Sequence, residues 1–128
     1  MYRILILGFF LLTACGGKEV NLGNFDVKRF KNDRGGCRGE RVNMIEDFKA
    51  LKPNLLSLSE NQITQSIGRY DFQILDRRNT KVYVYYFEKG EHCQFMQNKS
   101  NAQSVALYFN SVGLVREITF QRGHPLEQ

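Results

Sequence analysis

Five side chains in this 128-residue chain stand out as able to attack a carbonyl or hold a metal: Cys15, Cys37, Cys93, His92 and His124. A nucleophilic triad needs Ser or Cys beside a histidine and an acid. Neither histidine suits that role, since His92 adjoins Cys93 and His124 lies in the C-terminal tail. A metal would find the adjacent pair His92 and Cys93 in "GEHCQ", but no second pair stands at zinc-finger spacing. Carboxylates for acid–base work are present as Asp33, Glu40, Glu60, Asp71 and Asp76, scattered among basic residues, and read as solvated surface. Gly35-Gly36 lacks the Gly-Lys-Ser pattern of a phosphate loop. The inventory predicts no catalytic residue, no enzyme activity, no cofactor, no metal and no small-molecule substrate.

Cys15 points to a different chemistry. The apolar run 4–12 is nine residues long, far short of the roughly 20 that cross a bilayer core. It fits the hydrophobic stretch of a secretory signal, with Arg3 as the short positive region before it. The run ends in Leu12-Thr13-Ala14-Cys15, which resembles the bacterial lipobox. Residues 1–14 are then a signal peptide that is removed, and Cys15 is the lipid-attachment residue, its thiol carrying a thioether-linked, palmitate-like anchor. Two or three acyl chains hold a protein on a membrane where one would not, at about 0.8 kcal/mol per buried CH₂. The expected location is the bacterial cell envelope, with the lipid in the outer membrane.

Export sorts the remaining cysteines. Cys37 and Cys93 are left in an oxidising compartment, where pairing is the default, so a Cys37–Cys93 disulfide is expected. The formal charge of +5 includes Arg3, which leaves +4 after processing. Such a balance can suit nucleic acid, but an exported lipoprotein does not meet it, so no nucleic-acid partner is expected. The basic stretch Lys28, Arg29, Lys31, Arg34, Arg38 and Arg41 reads as solvated surface.

These groups need a scaffold. Residues 15–24 read as a lipidated tether, residues 25–122 as a single domain and residues 123–128 as a tail. "FDVKRFKNDRGGC" reads as irregular or a brief strand. Met44, Ile45, Phe48, Leu51 and Leu55 recur at three- and four-residue steps, which predicts a helix over 40–51 closing before Pro53. In "LSLSENQITQSIG", Ser59 and Gln62 form a capping-box pattern, Leu58 and Ile63 a staple pair, and Gly68 an αL terminus, which predicts a helix over 59–67. The period then changes to two. Strands are expected over 72–78, 81–90, 104–109 and 114–121, with turns near Asn79-Thr80 and at 110–113. The fold class is α+β, two N-terminal helices packed on an antiparallel meander of three to four strands.

This order of elements, with "LSENQITQSIGRYD" and "VALYFNSVGLVREITF", resembles the SmpA/OmlA family of small outer-membrane assembly lipoproteins, which share the fold of β-lactamase inhibitor protein. The likeness spans roughly residues 50–122. Tyr70 replaces that family's usual proline, and a cysteine pair is not part of its pattern. "NDRGGCRGER" with a later cysteine is also similar to uncharacterised Bacteroidetes lipoproteins. The resemblance implies a membrane-anchored protein-binding module in outer-membrane assembly or maintenance, its partner another envelope protein. The alternative is an inhibitor or immunity lipoprotein that blocks a secreted enzyme.

The strands suggest where a partner would bind. Val82, Val84 and Tyr86 point one way and Tyr83, Tyr85 and Phe87 the other. If the aliphatic set faces the helices, Tyr83, Tyr85 and Tyr108 gather on an open face as a partner surface. Alternatively, residues 25–36, with Phe25 and Phe30, fold over that face, which suits a two-layer protein with apolar area to cover.

Overall fold

In a computed structural model that describes residues 20–75, 78, 80–123 and 125, the chain folds as an α+β domain. Four helices precede a four-stranded antiparallel sheet: α1 Val27–Asn32, α2 Ile45–Ala50, α3 Lys52–Leu55 and α4 Glu60–Ile67, then β1 Phe72–Leu75, β2 Lys81–Tyr86, β3 Gln103–Phe109 and β4 Val115–Arg122. The strands run in the order β1-β2-β3-β4, an uninterrupted meander. No described helix is long and apolar enough to cross a membrane. Cys15, the expected signal peptide 1–14, His124, half of the expected tether (residues 15–19 of 15–24) and most of the tail lie outside the described residues.

The periodic segment from residue 40 is helical but not one rod. A 3-10 turn over Arg41–Met44 leads into α2, and a break at Leu51 precedes α3. Pro53 sits in the first turn of α3, where its missing N–H leaves no intrahelical bond unmade. It therefore opens a helix rather than ending one. Within 25–37, which reads in the sequence as irregular or a brief strand, the chain instead forms α1 and a 3-10 turn over Arg34–Gly36. The Asp26 carboxylate caps α1 by accepting the Arg29 N–H, while Phe30 is fully buried.

Helix α4 keeps both halves of its capping box. Ser59 Oγ accepts the Gln62 N–H at 3.2 Å, and Gln62 Oε1 accepts the Ser59 N–H at 2.9 Å. Ile63 and Ile67, four residues apart, are both wholly buried. Gly68 ends the helix at φ 92° and ψ 175°, a positive-φ extended conformation rather than the αL geometry expected. Replacing Ser59 with Ala is expected to cost about 1 kcal/mol of stability, read as a lower urea midpoint at unchanged slope. An unchanged midpoint would show the cap to be idle.

Antiparallel pairing sets which side chains share a face. Tyr83 pairs with Leu107, Tyr85 with Val105 and Val82 with Tyr108. The helix-facing cluster therefore joins Phe30, Phe48, Ile63 and Ile67 to Tyr83, Tyr85, Phe87, Val105, Leu107 and Phe109. A second cluster takes Ile74, Val82, Val84, Tyr86, Ala102 and Ala106 on the other side. β1 and β2 are shorter than expected, ending at Leu75 and Tyr86, and the Asn79 end of their turn lies outside the described residues. The β3–β4 turn is fastened by Asn110, whose Oδ1 accepts the N–H groups of Val112 and Leu114.

Candidate functional site

Two acids and an arginine that read as surface residues are the most deeply buried charges among the described residues. Arg41 is 1 % exposed and Asp71 4 %, with Asp33 at 0 %. An unpaired charge at such depth is prohibitive, so each must be matched. Arg41 Nη1 donates to Asp71 Oδ2 at 2.8 Å and to the Tyr86 carbonyl at 3.1 Å, and Nε donates to the Phe30 carbonyl at 2.9 Å. Its guanidinium also stacks 4.0 Å from the Phe30 ring centre. Asp71 accepts two further N–H groups, from Gly35 at 2.9 Å and Tyr86 at 2.8 Å. Asp33 accepts three, from Arg38, Glu40 and Arg41, at 2.6 to 2.8 Å.

The loop 33–41 is thus clamped from within by Asp33 and from the sheet by Asp71 and Arg41. Gly36, at φ 68°, seals the contact: a β-carbon there would lie 2.5 Å from the Phe87 carbonyl carbon and 2.6 Å from the Glu88 nitrogen. Only glycine lets the loop backbone lie this close to the end of β2. The clamp presents Cys37 to Cys93, and the two are joined by a disulfide with Cα atoms 5.8 Å apart.

His92 completes the cluster. It is fully buried in the 3-10 turn Glu91–Cys93 and stacks on the Tyr86 ring, with centroids 3.7 Å apart. Its Nε2 lies 2.6 Å from the Gly35 carbonyl and its Nδ1 2.7 Å from Ser100 Oγ. A carbonyl only accepts, so Nε2 carries a proton. Cys93 Sγ lies 3.6 Å from the same nitrogen. The ligand atoms of Cys37, His92 and Cys93 all fall within 4.8 Å of one another. Sequence reasoning saw the pair His92 and Cys93 and stopped for want of a second pair, because Cys37 approaches from 56 residues away. Arg41 and Asp71, which read as solvated surface, were missed too, because the two partners stand 30 residues apart in the chain.

The tyrosine surface requires correction. Tyr83 and Tyr85 lie in the helix-facing core, whereas Tyr108 edges the opposite cluster. The register forbids the expected grouping, because directly paired residues project to the same side and Tyr108 pairs with Val82. Phe30 and Phe25 cover the Tyr85 and Phe87 side, with Phe30 and Tyr85 rings 6.0 Å apart. Arg41 likewise leaves the solvated basic stretch for the core, while Arg29 pairs with Glu40.

Burial first, and then the Glu60 carboxylate that accepts its O–H at 3.3 Å, push the Tyr83 phenol up to about 12. Burial also raises Tyr85, whose O–H donates to the Gly68 carbonyl at 2.7 Å. Unfolded tyrosine ionises near 10, so between about pH 10 and 12 the folded chain binds more protons than the unfolded one. The stability these phenols contribute is fully present below pH 10 and is lost as pH climbs through the folded values. A lower urea midpoint at about pH 11 than at about pH 9, reduced in a Tyr83→Phe variant, is the expected outcome. No protein-family model matches the chain, and neither does any curated protein or solved structure.

Proposed function

We propose that this chain is an exported lipoprotein, anchored in the outer membrane through Cys15, whose α+β domain binds another envelope protein in assembly or maintenance of the envelope. The observation that carries the reading is the tetrapeptide Leu12-Thr13-Ala14-Cys15 at the end of an apolar run too short to span a bilayer. The order of helices and meander supports it through the resemblance to the SmpA/OmlA assembly lipoproteins, and a disulfide suits an oxidising compartment. The alternative is an inhibitor or immunity lipoprotein that blocks a secreted enzyme; for either reading the three tyrosines do not form one contact surface, because they are divided between the two sides of the sheet.

The test is metabolic labelling with a palmitate analogue in cells making the wild-type chain or Cys15→Ala, followed by envelope fractionation and photo-crosslinking from exposed positions such as Val112. Label and outer-membrane retention that vanish in Cys15→Ala, with crosslinks to one recurring envelope protein, are expected. Equal retention without label defeats the anchor; labelled chain that crosslinks only to lipid defeats the binding role.

A further inference from the structure

The sulfurs of Cys37 and Cys93 are not the only soft donors at this corner of the molecule. A β-carbon built on Gly35 would lie 3.0 Å from Cys37 Sγ, 3.4 Å from His92 Cδ2 and 2.7 Å from the Met96 methyl carbon. The Cys37 sulfur, the methyl end of Met96 and an edge of the His92 ring therefore crowd one face of Gly35, where any side chain would displace them. Cys93 Sγ adds a fourth donor, 3.6 Å from His92 Nε2. Thiolate and imidazole suit Cu(I) and zinc alike, and a thioether, which is outside zinc's usual ligand set, favours Cu(I). We propose that the reduced form of this chain binds one Cu(I) through Cys37, Cys93 and His92 with Met96 as a weaker ligand, and that the disulfide is the closed, metal-free form of the same site.

The interconversion balances. A dithiol reductant gives two electrons and two protons to the Cys37–Cys93 bond, becoming a disulfide itself and leaving two thiols. Cu(I) then displaces both thiol protons to solvent and stays in the +1 state throughout. His92 must offer the lone pair of Nε2, so its proton moves to Nδ1 and the bond to the Gly35 carbonyl is given up. The surroundings allow this, because Ser100 Oγ, 2.7 Å from Nδ1, can accept as readily as it donates. Stacking on Tyr86 holds the ring plane fixed meanwhile. Ser100 is thus a positioning residue in the sense familiar from metal-bound histidines, whose second nitrogen is fastened by an outer partner. Burial of His92 beside a half-exposed Cys37 and an exposed Cys93 gives a site with a fixed floor and an open mouth.

The test uses the full chain in mild detergent, reduced without oxygen and titrated with Cu(I) against a chromogenic Cu(I) chelator, with far-UV circular dichroism recorded throughout. The reduced chain is expected to remove one equivalent of Cu(I) from the chelator, and the disulfide form none. His92→Ala is expected to weaken binding at least as much as Ser100→Ala, for which loss of an outer partner implies about 10-fold. If reduction alone unfolds the chain, Cu(I) is expected to restore the native spectrum. Overturning results are a reduced chain that competes no better than the oxidised one, His92→Ala and Met96→Leu both binding as tightly as wild type, or an unfolded reduced chain that Cu(I) does not refold.

Discussion

Replacing Arg41 with methionine is expected to lower the free energy of unfolding by about 3–5 kcal/mol, the cost of leaving one partner of a buried ion pair uncompensated. The figure is large because Asp71, with 4 % of its surface exposed, has no route to water once the guanidinium is gone. It keeps only the Gly35 and Tyr86 N–H groups. Methionine preserves much of the side-chain volume, so the loss reports charge pairing rather than a cavity. Asp71→Asn alone is expected to be costly for the converse reason, stranding Arg41. The double variant is expected to be less damaging than the two losses added together, by about 1–3 kcal/mol, because neither residue then leaves the other charged and alone. Guanidinium denaturation of the four proteins closes the cycle. Strict additivity, or an Arg41→Met loss under 1 kcal/mol, would show that the pair does not hold the loop.

Removing the Cys37–Cys93 crosslink is expected to be as severe, by another route. The two cysteines are 56 residues apart, and a closed loop of that length restricts the unfolded chain by about 4 kcal/mol in the chain-entropy account. For a domain of roughly 100 residues this lowers the melting temperature by roughly 16–32 °C. The Cys37→Ser/Cys93→Ser chain should show that fall in a calorimetric scan, with a far-UV spectrum at low temperature matching the wild type. A shift of only a few degrees would mean that the unfolded chain is already restricted without the crosslink.

Legibility followed the range over which each signal acts. Helix α4 was readable because its cap, staple and terminating glycine lie within eleven residues of one another. The meander was readable because period-two alternation and the Asn110 turn are local as well. The side of the sheet that meets the helices was not, since both faces of β2 are apolar and both are buried: Val82, Val84 and Tyr86 on one, Tyr83 and Tyr85 on the other. Pairing with β3 decides the matter, and pairing is not local. The same limit hid the polar core. Nothing next to Arg41 in the chain marks it as buried, because its partner stands 30 residues away and its value depends on that partner being there. Helix α1 escaped notice because six residues with one buried aromatic carry too little periodicity; the Asp26 cap was the available clue.

The crosslink has a mechanical meaning as well. Tension applied N-terminal to the domain would first peel away α1, and would then meet Cys37. From there force passes straight to Cys93 at the approach to β3, bypassing α2 to α4, β1 and β2, which sit inside the covalent ring. The chain between the two cysteines, which are 56 positions apart, amounts to some 200 Å when extended at about 3.5 Å per residue and cannot be released while the bond is intact. A domain pulled from its N-terminus would therefore yield a short extension before Cys37, and only on reduction would the chain inside the ring be released.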